Sequence, residues 1–254
     1  MNEQSVMEDK HEGPDGTRID HNGFLRVNGR PQITRFTYCA ETREAMEESK
    51  KAGFNTTFYG PKDPADRAGL SVVSAPDTGY RDEDVIANWI IDKPDFYRNF
   101  DGTLKFPPSW AKERVEAGKQ QWPRVPTVMH LYTRASDELT SEYIRTGVDI
   151  VGLDFWLARS GWSLAALPPL LENLQRLFLL HQRASWVHSV TLPVWVGLQV
   201  SQTDIPVIGQ DIPFATAEQY RTMVYMCLVR GLSGIGCWAY EYTDAADPSG
   251  GQHR

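Results

Sequence analysis

The chain has 254 residues, of which 41% are hydrophobic, and its length is close to that of a single α/β barrel of about 250 residues. The formal net charge of −7 argues against nucleic acid as a main partner, because binding to a phosphate backbone requires a basic surface. No apolar run approaches the ~18 residues of a membrane span, so we expect no membrane partner.

The two ends of the sequence are polar and are expected to lie outside the folded domain. Residues 1–22 are low in apolar content and predict a flexible leader, and residues 244–254 predict a flexible tail. The domain between them is expected to span residues 23–243. The leader lacks the apolar segment of a secretory signal. We therefore expect a cytoplasmic protein, or one that is released by lysis or carried in a particle.

The domain begins with a predicted β-hairpin. Residues 23–27 alternate as a strand does, Asn28-Gly29 is a strong turn signal, and a return strand is expected from Pro31 to Tyr38. Strands and helices then alternate. Counting from Ile33, the predicted strands are residues 33–38, 54–59, 70–75, 88–92, 127–132, 148–156, 192–199 and 234–240. The predicted helices are residues 41–52, 82–87, 109–119, 136–146, 163–188 and 216–230.

This alternation predicts a parallel sheet, and eight strands in a chain of this length favour a closed TIM-type (β/α)8 barrel. Residues 200–215 form a predicted loop that is longer than a usual strand-to-helix connection. The last helix is missing from the pattern, so we expect the leader or a protein partner to cover part of the barrel wall. No glycine-rich phosphate loop follows a strand, and no His, Cys, Asp or Glu residues have metal-ligand spacing, so no cofactor or metal is expected.

Several segments resemble glycoside-hydrolase barrels related to the β-galactosidase catalytic domain. The similar segments are residues 23–31 (GFLRVNGRP), 46–55 (ending KKAGFN), 148–156 (VDIVGLDFW), 192–199 (LPVWVGLQ) and 216–240. The segment Trp89-Ile90-Ile91-Asp92-Lys93-Pro94 is similar to the fourth strand of these barrels, which ends in Asp-Glu-Pro or Asn-Glu-Pro. The resemblance implies a general acid/base at the Glu position, where this chain has Lys93.

Glycoside hydrolysis usually needs two carboxyl groups, one as a proton donor and one as a nucleophile or base. The resemblance places them at the ends of strands four and seven, where this sequence has Lys93 and, approximately, Gln199. A lysine cation opposes an oxocarbenium-like transition state, and a neutral glutamine cannot be a nucleophile. Asp92, Asp154 and Glu241 are the remaining candidates for a carboxylate pair. Each could instead be a solvated loop acid or a helix cap.

Aromatic and polar side chains near the strand ends are candidates for substrate binding. A pyranose ring stacks on an aromatic face, which is a role for Trp156, Trp238 and Tyr240, although tryptophan is also a common packing residue. His130 and Tyr132 share one face of the fifth strand. His130 could equally be a hydrogen-bonded histidine of the barrel interior.

The leading hypothesis is a glycoside-hydrolase-like protein that binds carbohydrate, with reduced or absent hydrolysis. One alternative is an active glycosidase that uses Asp92, Asp154 or Glu241. Another is a structural or adhesive component of a larger assembly such as a virion. Lys93 could also form a Schiff base, as in class I aldolases, but the surrounding sequence does not resemble those enzymes.

Overall fold

The computed structural model describes residues 17–20, 22–38, 40, 42–75, 78–81, 84–132, 135–155, 172, 176, 193–199, 203–205, 210–212, 216–229 and 231–238. Three short antiparallel strands come first: β1 (Thr17–Ile19), β2 (Leu25–Val27) and β3 (Arg30–Gln32). The turn between β2 and β3 is the predicted Asn28-Gly29 pair, and both residues have the positive φ angles that such a tight hairpin requires.

Eight parallel strands close into a barrel, which confirms the predicted TIM-type fold. Around the barrel the order is β4, β5, β6, β7, β8, β9, β10 and β13, and β13 pairs with β4 to complete the closure. These strands are β4 (Thr34–Tyr38), β5 (Thr56–Phe58), β6 (Ser71–Ser74), β7 (Val85–Asp92), β8 (Thr127–Leu131), β9 (Ile150–Phe155), β10 (Val194–Gln199) and β13 (Gly234–Trp238).

Helices lie between several of these strands and begin at capping residues that the sequence makes visible. The described helices are α1 (Arg43–Lys51), α2 (Pro108–Gln121), α3 (Asp137–Ile144) and α4 (Ala217–Leu228), with a short 3-10 helix at Pro64–Arg67. Thr216 and Gln219 form a capping box at the start of α4, since each side chain accepts a hydrogen bond from the other's backbone N–H. None of the described helices is long and apolar enough to cross a bilayer.

Four local expectations were wrong or incomplete. Residues 85–87 begin β7 instead of ending a helix, because Val85, Ile86 and Ala87 are buried in the barrel wall. The expected loop 200–215 contains an antiparallel pair, β11 (Thr203–Ile205) and β12 (Gln210–Ile212). The expected return strand divides after Gln32, since β4 leaves the hairpin to pair with β13 and β5.

The fourth difference lies in the expected leader, where residues 17–19 pair with β2. The carboxylate of Asp20 fixes the connection by accepting hydrogen bonds from the backbone of Asn22 and Phe24 and from Arg26 Nε at 2.9–3.0 Å. The predicted helix 163–188 lies almost entirely outside the described residues. The segment after β13, where a last helix would be expected, also lies outside the described residues.

The barrel interior is filled with rings. Phe36, Phe58 and Trp195 are fully buried there, and Leu25 of the hairpin belongs to the same apolar cluster. Two glycines of β13 leave room for these rings. A Cβ at Gly236 would lie 2.0 Å from the Phe36 ring, and one at Gly234 would lie 2.3 Å from Trp195. A second apolar layer, outside the barrel, joins strands β8–β10 to α2, α3 and α4.

Candidate functional site

Strand β7 carries a β-bulge that decides which residue at its end faces the barrel interior. Trp89 pairs with Val128, but Ile91 pairs with Met129, so β7 advances two residues where β8 advances one. Asp92 therefore pairs with His130, whose side chain lies inside the barrel against Trp89 and Tyr38. Because facing residues of adjacent strands share a side of the sheet, the bulge turns Asp92 inward.

Asp92 forms the centre of a polar cluster above the aromatic interior. Its Oδ2 lies 3.2 Å from Lys93 Nζ, and its Oδ1 lies 3.7 Å from His130 Nδ1. Burial alone raises the pKa of Asp92, but the charge of Lys93 and the neighbouring His130 outweigh it and lower the pKa to about 2. The Asp92 carboxylate is therefore ionised at neutral pH.

His130 lies below this ion pair and is almost completely buried, with 2% exposure. The Tyr38 hydroxyl lies 3.3 Å from the ring nitrogens, and the Trp89 ring packs edge-on at a centroid distance of 5.0 Å. The histidine ring fits because residue 152 is glycine. A Cβ there would stand 1.5 Å from His130 Cδ2. The arrangement makes His130 a supporting residue for Asp92.

Lys93 has an unusual backbone conformation, with φ at +47°. Its backbone N–H donates to the carbonyl of His130 at 2.9 Å, and its carbonyl accepts from the Phe96 N–H at 3.0 Å. A non-glycine residue in this left-handed region costs roughly 1–2 kcal/mol. Such strain often occurs at functional sites, so the backbone of Lys93 marks the end of β7 as a candidate site.

Asp95 is a buried acid at this end of the barrel that sequence reasoning missed. Both carboxylate oxygens accept from the backbone N–H of Tyr132, at 2.9 and 3.0 Å, and the residue is 1% exposed. Burial raises the pKa of Asp95 to about 7. The Pro94-Asp95 pair is the sequence feature that could have identified Asp95, because acids after proline commonly stabilise turns.

The structure places Asp92, Lys93 and His130 together, and Tyr132 follows His130 at the end of β8. The backbone places three further candidates, Asp154, Gln199 and Trp238, at the carboxyl ends of barrel strands. Asp154 in β9 pairs with Gly197, and Gln199 in β10 pairs with Trp238 in β13. Trp156, Tyr240 and Glu241 lie outside the described residues.

The described residues contain no group of three or more His, Cys, Asp or Glu side chains that could hold a metal ion. The polar groups that are brought together can hydrogen-bond to a ligand and can present one positive and one negative charge. The molecule is thus a TIM-type barrel with a charged cluster at the carboxyl ends of its strands, which is where such barrels carry their active sites.

No family model matches the sequence, and no curated protein does so. Solved structures share the fold at low identity. The glycoside hydrolase family 5 mannosidase of Rhizomucor miehei is 11% identical with a TM-score of 0.57, over 89% of this chain and 86% of the mannosidase. The catalytic domain of the hyperthermophilic chitinase of Pyrococcus furiosus is 11% identical with a TM-score of 0.53, over 91% of each chain.

The β-glucuronidase of Bacteroides uniformis is 14% identical with a TM-score of 0.53. The match covers 88% of this chain but only 32% of the β-glucuronidase. At these identities the similarity establishes the fold alone. The protein has the fold of the TIM-barrel glycosidases.

Proposed function

We propose that the protein is a glycoside-hydrolase-like barrel that binds carbohydrate at the carboxyl end of its strands and hydrolyses it weakly or not at all. One observation carries the proposal. The residue at the end of the fourth barrel strand, where the resemblance implies a general acid, is Lys93, and its ammonium group is paired with Asp92.

Cleavage of a glycosidic bond requires a carboxylic acid that can protonate the leaving oxygen. Neither acid at the end of β7 meets this need. Asp92 has lost its proton at neutral pH because its pKa is about 2. Asp95, with a pKa of about 7, can hold a proton, but it is buried and directed at the backbone of Tyr132. The described residues at this strand end therefore lack an accessible, protonated carboxylic acid.

The same cluster is suited to binding. The side chains of Asp92 and Lys93 are 18% and 19% exposed, so both are held in place yet reachable from solvent. A carboxylate and an ammonium group form strong, charge-assisted hydrogen bonds with hydroxyl groups. Tyr132 follows the neighbouring strand, and its ring packs against Phe96 of the loop after Lys93 at a centroid distance of 4.7 Å.

The proposal is tested with a panel of aryl glycosides and with calorimetric titration of mono- and disaccharides. We expect saccharide binding without turnover in the wild type, and loss of binding in Asp92→Asn. Lys93→Glu should recover part of the hydrolysis, whereas the matched control Lys93→Met, which removes the charge without adding a carboxyl group, should not. Robust hydrolysis by the wild type would sink the proposal, as would the absence of any saccharide binding.

The second candidate function is an active glycosidase, which the ionised state of Asp92 favours. An ionised carboxylate can act as a nucleophile or base, and Asp154 or Glu241 would have to supply the proton. In that case wild-type turnover would be measurable. It would disappear in Asp92→Asn and also in either Asp154→Asn or Glu241→Gln.

A further inference from the structure

A row of aromatic rings begins beside the Asp92–Lys93 pair and runs along the loop that joins β7 to α2. Neighbouring ring centroids are separated by 4.7, 5.5, 6.1 and 4.9 Å. We call this row the aromatic ridge, and its members in spatial order are Tyr132, Phe96, Tyr97, Phe106 and Trp110. The hydrogen bond from Phe96 N to the Lys93 carbonyl places Phe96, the second ring of the ridge, one turn from the charged cluster.

The ridge is held by an ordered backbone. Residues 97–105 form a small hairpin in which Lys105 N donates to the Tyr97 carbonyl at 3.0 Å and Asn99 N donates to the Thr103 carbonyl at 2.8 Å. This hairpin presents Phe100 fully to solvent, and Phe96 is 49% exposed. The loop therefore exposes two apolar rings, of which Phe96 belongs to the ridge.

The charge of this segment differs from that of the whole chain. Residues 96–116 contain four basic side chains (Arg98, Lys105, Lys112 and Arg114) and three acidic ones (Asp101, Glu113 and Glu116), whereas the whole chain has a net charge of −7. Lys112 is paired with Glu116 at 3.9 Å, so Arg98, Lys105 and Arg114 are the cations that matter for the ridge. Two of the cations lie over ridge rings, Lys105 Nζ at 5.3 Å from Phe106 and Arg114 Cζ at 5.8 Å from Trp110. The ridge therefore combines aromatic faces with positive charge.

We propose that the aromatic ridge binds the part of an acidic oligosaccharide that extends beyond the Asp92–Lys93 site. This inference rests on the proposed carbohydrate binding and adds the class of ligand, a saccharide chain that carries carboxylates. The apolar face of each sugar ring packs on an aromatic ring, and the lysine and arginine side chains pair with the carboxylates. The position of the ridge next to Lys93 lets one chain contact both regions.

The test uses the full chain and calorimetric titration with oligogalacturonates of one, two and four units, beside neutral cello-oligosaccharides of the same lengths. We expect the four-unit uronate to bind at least about tenfold more tightly than the single unit. The gain should disappear in the double variant Phe96→Ala/Tyr97→Ala, which removes two neighbouring rings of the ridge. Lys105→Ala should weaken the uronates more than the neutral chains. The matched control is Phe24→Ala, because Phe24 is 39% exposed but lies in the hairpin segment at the opposite end of the barrel.

Equal affinity for all lengths would overturn the ridge proposal and leave the binding site at Asp92 intact. A length-dependent gain that survives in the double variant would also overturn it. If only the longer chains bind, and Asp92→Asn binds them as well as the wild type does, the ridge proposal holds and the proposed function fails. Tighter binding of a single-stranded oligonucleotide than of the four-unit uronate would reject the saccharide and indicate nucleic acid.

Discussion

The ring-filled interior of the barrel and its carboxyl-terminal rim are stabilised in different ways. In the interior, Phe36, Phe58 and Trp195 are fully buried, and the rings of Phe36 and Trp195 require glycines on β13. At the carboxyl-terminal rim, Asp92, Lys93 and Asp95 combine an ion pair, a left-handed backbone and a buried acid. The close packing of rings stabilises the interior, whereas the rim contains features that lower the free energy of unfolding.

This difference separates residues that maintain the fold from those available for ligand binding. Features that lower stability persist where the surrounding structure compensates for them, and such places are often functional. We expect substitutions in the ring-filled interior to reduce the free energy of unfolding at every pH. Substitutions at the rim should change pH dependence, backbone strain or binding, with smaller effects on the fold.

The largest effect is expected for Gly236→Ala in the ring-filled interior. The new Cβ would lie 2.0 Å from the Phe36 ring, which is packed against other rings and cannot move freely. We expect the free energy of unfolding, measured by urea denaturation, to fall by about 3 kcal/mol. Ile235→Val, on the outer face of the same strand, should cost only about 1 kcal/mol. Equal losses in the two variants would contradict a shape-determined interior.

The second effect concerns the pH dependence of stability at Asp95. Its folded-state pKa of about 7 lies above the ~3.9 of an unfolded aspartate, so the folded protein retains a proton that the unfolded chain releases between these values. The free energy of unfolding should therefore fall as pH rises from 4 to 7, by up to about 1.4 kcal/mol per pH unit.

Asp95→Asn removes the titrating carboxyl group, so the free energy of unfolding should fall less steeply between pH 4 and 7. Asp101→Asn is the matched control. Asp101 is exposed and its pKa is lowered by hydrogen bonds to Thr103, so its replacement should leave the slope above pH 5 unchanged. An unchanged slope in Asp95→Asn would show that the carboxyl group is ionised throughout this range.

The smallest effect is the expected difference in stability between Lys93→Gly and Lys93→Ala. Both variants lose the ion pair with Asp92, but only glycine relieves the backbone at a φ of +47°. We expect Lys93→Gly to be more stable than Lys93→Ala by about 1 kcal/mol in thermal or urea unfolding. Equal stabilities would mean that the left-handed conformation is not maintained in solution.

The sequence predicted the barrel well because its signals are local or repeated. The Thr216–Gln219 capping box, the Asn28-Gly29 turn and the alternation of strands and helices are all visible in neighbouring residues. The meeting of Asp92, Lys93 and His130 could also be predicted, since the carboxyl ends of parallel strands converge at one end of a barrel.

Other features depend on contacts between distant residues and were not predictable. The role of Asp95 depends on the backbone N–H of Tyr132, 37 positions away. The start of β7 depends on burial of Val85 and Ile86 in the barrel wall, which outweighs local helical preference. The aromatic ridge arises from a loop whose rings come together only through the hairpin at residues 97–105.

The bulge in β7 has a consequence for engineering the charge of the cavity. A strand's side chains alternate between its two faces, so a slip of one residue in the pairing exchanges the faces of everything that follows. If β7 paired regularly after Trp89, without the bulge, Asp92 would pair with Leu131 and Lys93 would lie level with Tyr132. Asp92 would then leave the interior. A single inserted residue thus determines the sign of the charge that a ligand meets above His130.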